Sequence, residues 1–339
     1  MVGKTWKVSI CFFYTSYFLL YSSPIFCETI LSFDEAVSKT LALSPKLRIA
    51  GSEISAKAGA KVQSSLLPNP VLGYSVENVF GNKDWQGWES AESRYEIAQL
   101  IETGGKRGYR YQTARVQYYA AQAGFEARQL FVLNRLLKLF TLVVSAQENY
   151  QLAVDQTRVA EEVYKTVSAK VEAGKVSLIQ QNKAEIALST AQINLEKANA
   201  EFFKSRERLS ILWGASCPDF DGVSFPFYEI NYPRSIEECL LEIRNNPELV
   251  RSQMDHNAAH QNLNLEKSRA IPDVTVTLGY KTLQDTGNKG MILGASIPIP
   301  LFNQNQGNVQ KARAEILQTR DQYVELELAL ENKISIAHR

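Results

Sequence analysis

The sequence predicts a mainly α fold with a small β part, in which long antiparallel coiled-coil helices carry four transmembrane β-strands. Three observations predict it. The chain contains its own pattern twice; four segments of about ten residues alternate apolar and polar; and apolar residues recur every seventh position over a stretch far longer than a globular helix. The 339 residues are 45% hydrophobic, with a formal net charge of +1. No basic block points to nucleic acid and no acidic tail to a solvating arm.

The N-terminus reads as an export signal over residues 1–27. Lys4 and Lys7 form a basic n-region, and Val8 to Tyr21 is apolar and aromatic but too short for a convincing spanning helix. Ser22, Ser23 and Pro24 interrupt it, and cleavage is expected near Cys27-Glu28. The alternative is an uncleaved signal anchor. Lipidation at Cys27 wants a small preceding residue, and Phe26 argues against it. Cys11 and Cys27 leave with the signal, so the exported chain keeps Cys217 and Cys239. An oxidising compartment permits a disulfide between them; the competing expectation places Cys239 in the core, on the apolar face of a helix.

The duplication assigns residues 28–213 to a first repeat, 214–234 to a linking segment rich in Pro, Phe and Tyr, and 235–339 to a second repeat that is incomplete. Ser32-Phe33-Asp34-Glu35-Ala36 matches Ser235-Ile236-Glu237-Glu238-Cys239, and Ser44-Pro45-Lys46-Leu47 matches Asn246-Pro247-Glu248-Leu249. The spacing from Pro45 to Pro70 equals that from Pro247 to Pro272, and Ala114-Arg115 answers Ala312-Arg313. Each repeat reads helix, strand, loop, strand, long helix.

The strands are predicted at 71–80, 92–101, 273–281 and 291–299. Leu72, Tyr74, Val76 and Phe80 oppose Gly73, Ser75 and Glu77; Tyr95, Ile97 and Ile101 oppose Arg94 and Glu96. Val274, Val276, Leu278 and Tyr280 share one face, as do Met291, Leu293, Ala295, Ile297 and Ile299. Such alternation suits lipid-facing barrel strands, though a half-buried soluble sheet gives the same pattern. Four strands cannot close a barrel, and an open edge in lipid leaves N–H and C=O groups without partners. Several copies must therefore share one barrel. Trp85 and Trp88, between the first two strands, suit either the outer membrane interface or packing within their loop.

In the long helix, Phe125, Val132, Leu139, Ala146, Ala153, Ala160 and Val167 form one seven-residue row, and Leu136, Val143, Tyr150, Thr157, Tyr164 and Val171 a second. The pattern breaks at Ala173-Gly174-Lys175-Val176-Ser177 and resumes with Ala184, Ala191, Ala198, Ser205 and Leu212, beside Leu188, Leu195, Phe202 and Leu209. A helix from Lys106 to Val171 spans ~100 Å. Gly174 suits a helix stop and Ser177 the next cap, so two antiparallel helices meet at a tip near 174.

These residues resemble the TolC family of outer-membrane efflux proteins, over about Leu31 to Arg339. The carriers are Phe33-Asp34-Glu35-Ala36, Ser44-Pro45, Leu67-Pro68-Asn69-Pro70 before the first strand, Glu102-Thr103-Gly104-Gly105-Lys106-Arg107 after the second, the Ala173 to Ser177 tip, and Leu212-Trp213-Gly214. The Gly-Gly-Lys-Arg element looks most like the Czc-type heavy-metal cation-efflux branch. The resemblance implies a homotrimer whose 12-stranded barrel sits in outer-membrane lipid, with an α-helical barrel crossing the periplasm. It implies a periplasmic adaptor (membrane fusion) protein and an inner-membrane pump as partners, with Ala173, Gly174, Lys175, Val176, Ser177 and Leu178 as the adaptor-contact tip. Transport is then passive conduction of solutes, metal cations or drugs, with no enzymatic activity and no cofactor. A full-length member continues beyond the helix in which Arg339 lies, so a C-terminally truncated chain is expected: a fragment, a frameshifted gene or a degenerate copy. The rival readings are an exported coiled-coil structural or partner-binding protein without conductance, and a periplasmic adaptor.

Gly104-Gly105-Lys106-Arg107 is not a phosphate loop, because Leu100 holds the earlier glycine position and Arg107 replaces Ser or Thr. His256 and His260, four apart on a predicted helix, are candidate metal ligands; the alternative is two polar residues on a solvated or pore-lining face.

Overall fold

The computed structural model describes residues 29–85, 87–226 and 234–338. The predicted signal segment, including Cys27, and most of the Pro- and Tyr-rich end of the linking segment lie outside them. Strand β1 (Ile30–Ser32) leads into helices α1 (Phe33–Leu43) and α2 (Pro45–Ser65). Strands β2 (Val71–Glu77) and β3 (Glu92–Ile101) follow, then helices α3 (Lys106–Glu172) and α4 (Leu178–Ser210). After strand β4 (Gly222–Ser224), the pattern returns as α5 (Ile236–Glu242), α6 (Pro247–Arg269), β5 (Val274–Leu283), β6 (Lys289–Ser296) and α7 (Gln306–His338).

The matching segments start matching helices for the same local reasons. Ser32 caps α1 through a reciprocal box, its hydroxyl accepting from Glu35 N while Glu35 accepts from Ser32 N. Ser235 Oγ accepts from Glu238 N at the start of α5. Ser44 and Asn246 each precede a proline at the first helical position, where a missing N–H costs nothing. Asn246 Oδ1 accepts from Glu248 N at 2.8 Å.

Strands β2, β3, β5 and β6 form one antiparallel sheet in that order, so the two repeats meet at the β3–β5 seam. The first strand ends at Glu77, short of Phe80, because Asn78 turns the chain at φ 65°. The fourth runs Lys289–Ser296, because Pro298 and Pro300 lack the N–H a ladder needs. The third begins at Val274; Asp273 is withdrawn from the ladder and accepts from Thr103 N at 2.9 Å.

Helix α3 spans ~100 Å at its 67 residues. Its upper half packs against α2 and α6, its lower half against α4, while α7 packs on α6. Every residue of both predicted seven-residue rows is buried or half-buried. The main core lies midway along α3, where Leu136, Phe140 and Val143 meet Phe202, Leu209, Leu212 and Trp213. There β1 pairs in parallel with β4 and closes the girdle with Leu31 and Val223. Cys217 is exposed and Cys239 half-buried, and both are free thiols. Neither a disulfide nor full core burial of Cys239 is found: α5 is short and buries no residue completely.

Candidate functional site

The sheet register turns four separate alternations into one surface. Leu72, Ile97, Leu278 and Leu293 stand in one cross-strand row, and Tyr74, Tyr95, Tyr280 and Met291 in the next. Leu72, Leu293 and Met291 are each at least 75% exposed. The opposite face carries Gly73, Glu96, Gly279 and Ile292 in one row and Ser75, Arg94, Lys281 and Gly290 in another. Two ion pairs cross that polar face, Lys281 with Glu92 at 3.1 Å and Arg94 with Glu77 at 3.6 Å. One face thus suits lipid and the other water, while β2 and β6 present open ladders at the two edges. Trp85 and Trp88 are both exposed in the loop beyond.

The sheet is fixed to the helices by a lock between the repeats. Gly104 and Gly105 both take positive φ, 64° and 72°, to turn β3 into α3. A side chain at Gly104 would stand 2.8 Å from Ile271 Cδ1. The turn brings Lys106 Nζ to 2.7 Å from Asp273 Oδ1, with only 11% and 22% of those side chains exposed. Arg110 holds Glu102 in a charged pair and donates to the Ser64 and Leu66 carbonyls. Gly104, Gly105 and Lys106 of that element, with Arg110 one turn on, therefore serve as a structural joint.

At the far end, the predicted tip forms the turn between α3 and α4. Gly174 N donates to the Val171 carbonyl and Lys175 N to the Lys170 carbonyl, both at 2.9 Å, closing a Schellman stop around Gly174 at φ 68°. Ser177 occupies the N-cap position of α4, but its side chain makes no cap bond; its carbonyl accepts from Gln180 N instead. Ala173, Gly174, Lys175, Ser177 and Leu178 are exposed and Val176 half-buried. Gly174→Val is expected to cost ~1–2 kcal/mol, because a left-handed backbone crowds Cβ; amide exchange at Lys175 should accelerate, and unchanged protection there would contradict the stop.

Sequence reasoning missed a second feature of this hairpin. Ile179, Ile186 and Ile193, seven residues apart on α4, are 65%, 67% and 56% exposed. Their spacing carried the signal, on a face opposite the rows that pack against α3. Helices α2, α3, α6 and α7 also share a groove of about 770 Å³, lined by Lys46, Glu53, Lys57, Arg128, Arg251, Asp255 and Glu315 among smaller residues. Burial pushes the Asp255 carboxyl up from its ordinary value, against the pull of Arg251 and Lys57, and Glu53 adds to the rise.

The structure brings His256 and His260 together. Their Nε2 atoms stand 3.3 Å apart, and His256 Nδ1 lies 3.0 Å from Thr319 Oγ1 on α7. Among the described residues, no group of three or more His, Cys, Asp or Glu side chains is arranged to hold a metal.

A family model described as outer membrane efflux protein matches residues 37–215 and 241–335. The chain is 27% identical, over 310 residues, to the cobalt-zinc-cadmium resistance protein CzcC of Cupriavidus metallidurans, covering 91% of this chain and 72% of that protein. It is 26% identical to the nickel-cobalt-cadmium resistance protein NccC of Alcaligenes xylosoxydans xylosoxydans, covering 86% of this chain and 66% of that protein. The Campylobacter jejuni CmeC outer membrane channel superposes with a TM-score of 0.72 at 18% identity, over 90% of this chain and 71% of that one. The Vibrio cholerae outer membrane protein VceC superposes with a TM-score of 0.66 at 18% identity, over 88% and 75%. With a two-faced sheet, a long helical hairpin and a family match across most of its residues, the chain belongs to the outer membrane efflux protein family.

Proposed function

We propose that this chain assembles as a homotrimer whose 12-stranded barrel conducts divalent metal cations out of the periplasm, and that it catalyses no reaction. The observation that carries the reading is the four-stranded sheet, apolar on one face, polar on the other and open at both edges. In lipid such edges must find partners, and copies of the same sheet supply them. The β2 edge of one copy meets the β6 edge of the next, and three copies fall within the usual barrel sizes. The exposed Ile179, Ile186 and Ile193 stripe suits a neighbouring copy as its cover.

The working unit divides as residues 28–213 and 235–339, two repeats joined by the 214–234 segment. The tip at Ala173 to Leu178 is the surface for a periplasmic adaptor, behind which an inner-membrane pump supplies the energy. Its exposure, and its Schellman stop that presents Lys175 and Leu178 on a fixed turn, support that role. The metal cargo is supported by the resistance proteins to which the chain is similar.

The test is single-channel conductance of the detergent-purified chain in planar bilayers, with oligomer mass measured on the same sample. A trimer with discrete conductance steps is expected. A soluble, non-conducting monomer would sink the reading.

A further inference from the structure

We propose that His256 and His260 form a two-imidazole site that takes a divalent first-row transition-metal cation in exchangeable fashion. The inference rests on the proposed function for its purpose, since it places a contact for the cargo on this chain; the geometry stands by itself.

Thr319 on α7 offers His256 a partner that selects a metal-ready tautomer. The Thr319 hydroxyl has one proton, and its oxygen lies 3.0 Å from the carbonyls of Glu315 and Ile316, either of which can accept it. With that proton on a carbonyl, the oxygen accepts from His256 Nδ1–H, the tautomer that leaves a lone pair on Nε2. In that tautomer Nε2 of His256 accepts from Nε2–H of His260, with the rings at 89° and their centroids 4.7 Å apart. Moving the His260 proton to Nδ1 frees both Nε2 lone pairs, and neither ring changes charge.

The separation of those lone pairs fits a metal. Two imidazole nitrogens each ~2.0–2.1 Å from a tetrahedral Zn²⁺ stand ~3.3–3.4 Å apart. The two Nε2 atoms are already 3.3 Å apart. Rotation of the two rings would aim both at a common point, and the i, i+4 spacing on α6 fixes their shared face. The Thr319 bond holds His256 from behind, as an outer partner orients a ligating imidazole. His260 is exposed and His256 half-buried, so water completes the coordination. Two protein ligands make a weak site, and a passing cargo needs one that releases as readily as it binds. Imidazole ligation favours Ni²⁺, Co²⁺, Cu²⁺ or Zn²⁺ over Mg²⁺ and Ca²⁺. The pair sits on α6 ~14–20 Å below the helix end that feeds β5, on the seam with α7, where Thr319 also lines the groove.

The experiment is calorimetric titration of Ni²⁺ into the full chain in detergent, with Mg²⁺ as the control ion. One saturable Ni²⁺ per protomer is expected, and no Mg²⁺ binding. The double variant His256→Gln with His260→Gln should lose the Ni²⁺ isotherm, and Thr319→Val should weaken it by ~10-fold or more. All variants should keep the wild-type oligomer mass and circular dichroism, since the changes lie on a solvent-accessible seam. Absence of saturable Ni²⁺ binding in the wild type would overturn the site, as would a double variant that binds like the wild type. Conductance of the same samples separates the two ideas: a conducting trimer without the isotherm removes the site alone, and an isotherm without conductance removes the channel reading alone.

Discussion

Leu278→Arg should abolish insertion of the assembled chain into lipid vesicles, while Thr277→Arg, one residue earlier, should leave insertion intact and alter conductance. Leu278 stands in the row with Leu72, Ile97 and Leu293 on the apolar face and is 55% exposed in the single copy. Thr277 stands opposite Ala98 and Gly294, on the polar face. A guanidinium on the lipid face near the bilayer midplane costs ~2–4 kcal/mol. Every copy carries it, so a trimer bears the cost at three places and membrane-inserted protein should fall by far more than ~30-fold. The measurement is the fraction of protein that floats with vesicles and resists alkaline extraction. Equal loss for both variants would mean that the two faces are not distinguished by lipid, and the barrel assignment would fail.

The second large effect is expected at the joint between the repeats. Asp273→Asn leaves the Lys106 ammonium, 11% exposed, facing a neutral amide. Removing one partner of a buried ion pair costs ~3–5 kcal/mol, and the partial exposure of Asp273 points to the lower figure, about 3 kcal/mol. The denaturant midpoint should drop with little change in slope, because the surface exposed on unfolding stays the same. Replacing both partners, Lys106→Met with Asp273→Leu, should recover most of the loss, because no charge is then left without its partner. A double variant as unstable as Asp273→Asn would show that the pair's value lies in positioning the Thr103 N–H and the turn, and not in its charges.

What the sequence disclosed, and what it hid, divides by range. Strand alternation, the seven-residue rows, the stop at Gly174 and the Pro-led helix starts are local: each depends on residues within a turn or two, and all stand close to where periodicity put them. Contacts between the repeats follow no such period. Nothing in the spacing of Lys106 and Asp273 announces that they meet, nor that β3 and β5 form the central seam. The strand ends moved for reasons just outside the alternating run, the turn at Asn78 and the prolines after Ser296. The isoleucine stripe on α4 was visible as a pattern, but its exposure became legible only once the other faces of the hairpin were filled. The histidine pair was readable as spacing; its orientation by Thr319 required α7 to be laid against α6.

The parity of the sheet reaches into genetics. Its strands run up, down, up, down from β2 to β6, so the two outer edges run in opposite senses. In the proposed ring, a β6 edge would therefore meet the next copy's β2 edge in the same antiparallel manner found inside the sheet, and every seam would be alike. No copy would own a closed surface, and each would supply half of two seams. A defective edge in one copy spoils the ring it joins. In a cell making equal amounts of sound and edge-defective chains, random assembly into threes leaves only about one eighth of the rings wholly sound. Edge variants should thus be dominant over the normal gene, whereas variants confined to the inner β3–β5 seam that keep the chain from joining any ring should be recessive.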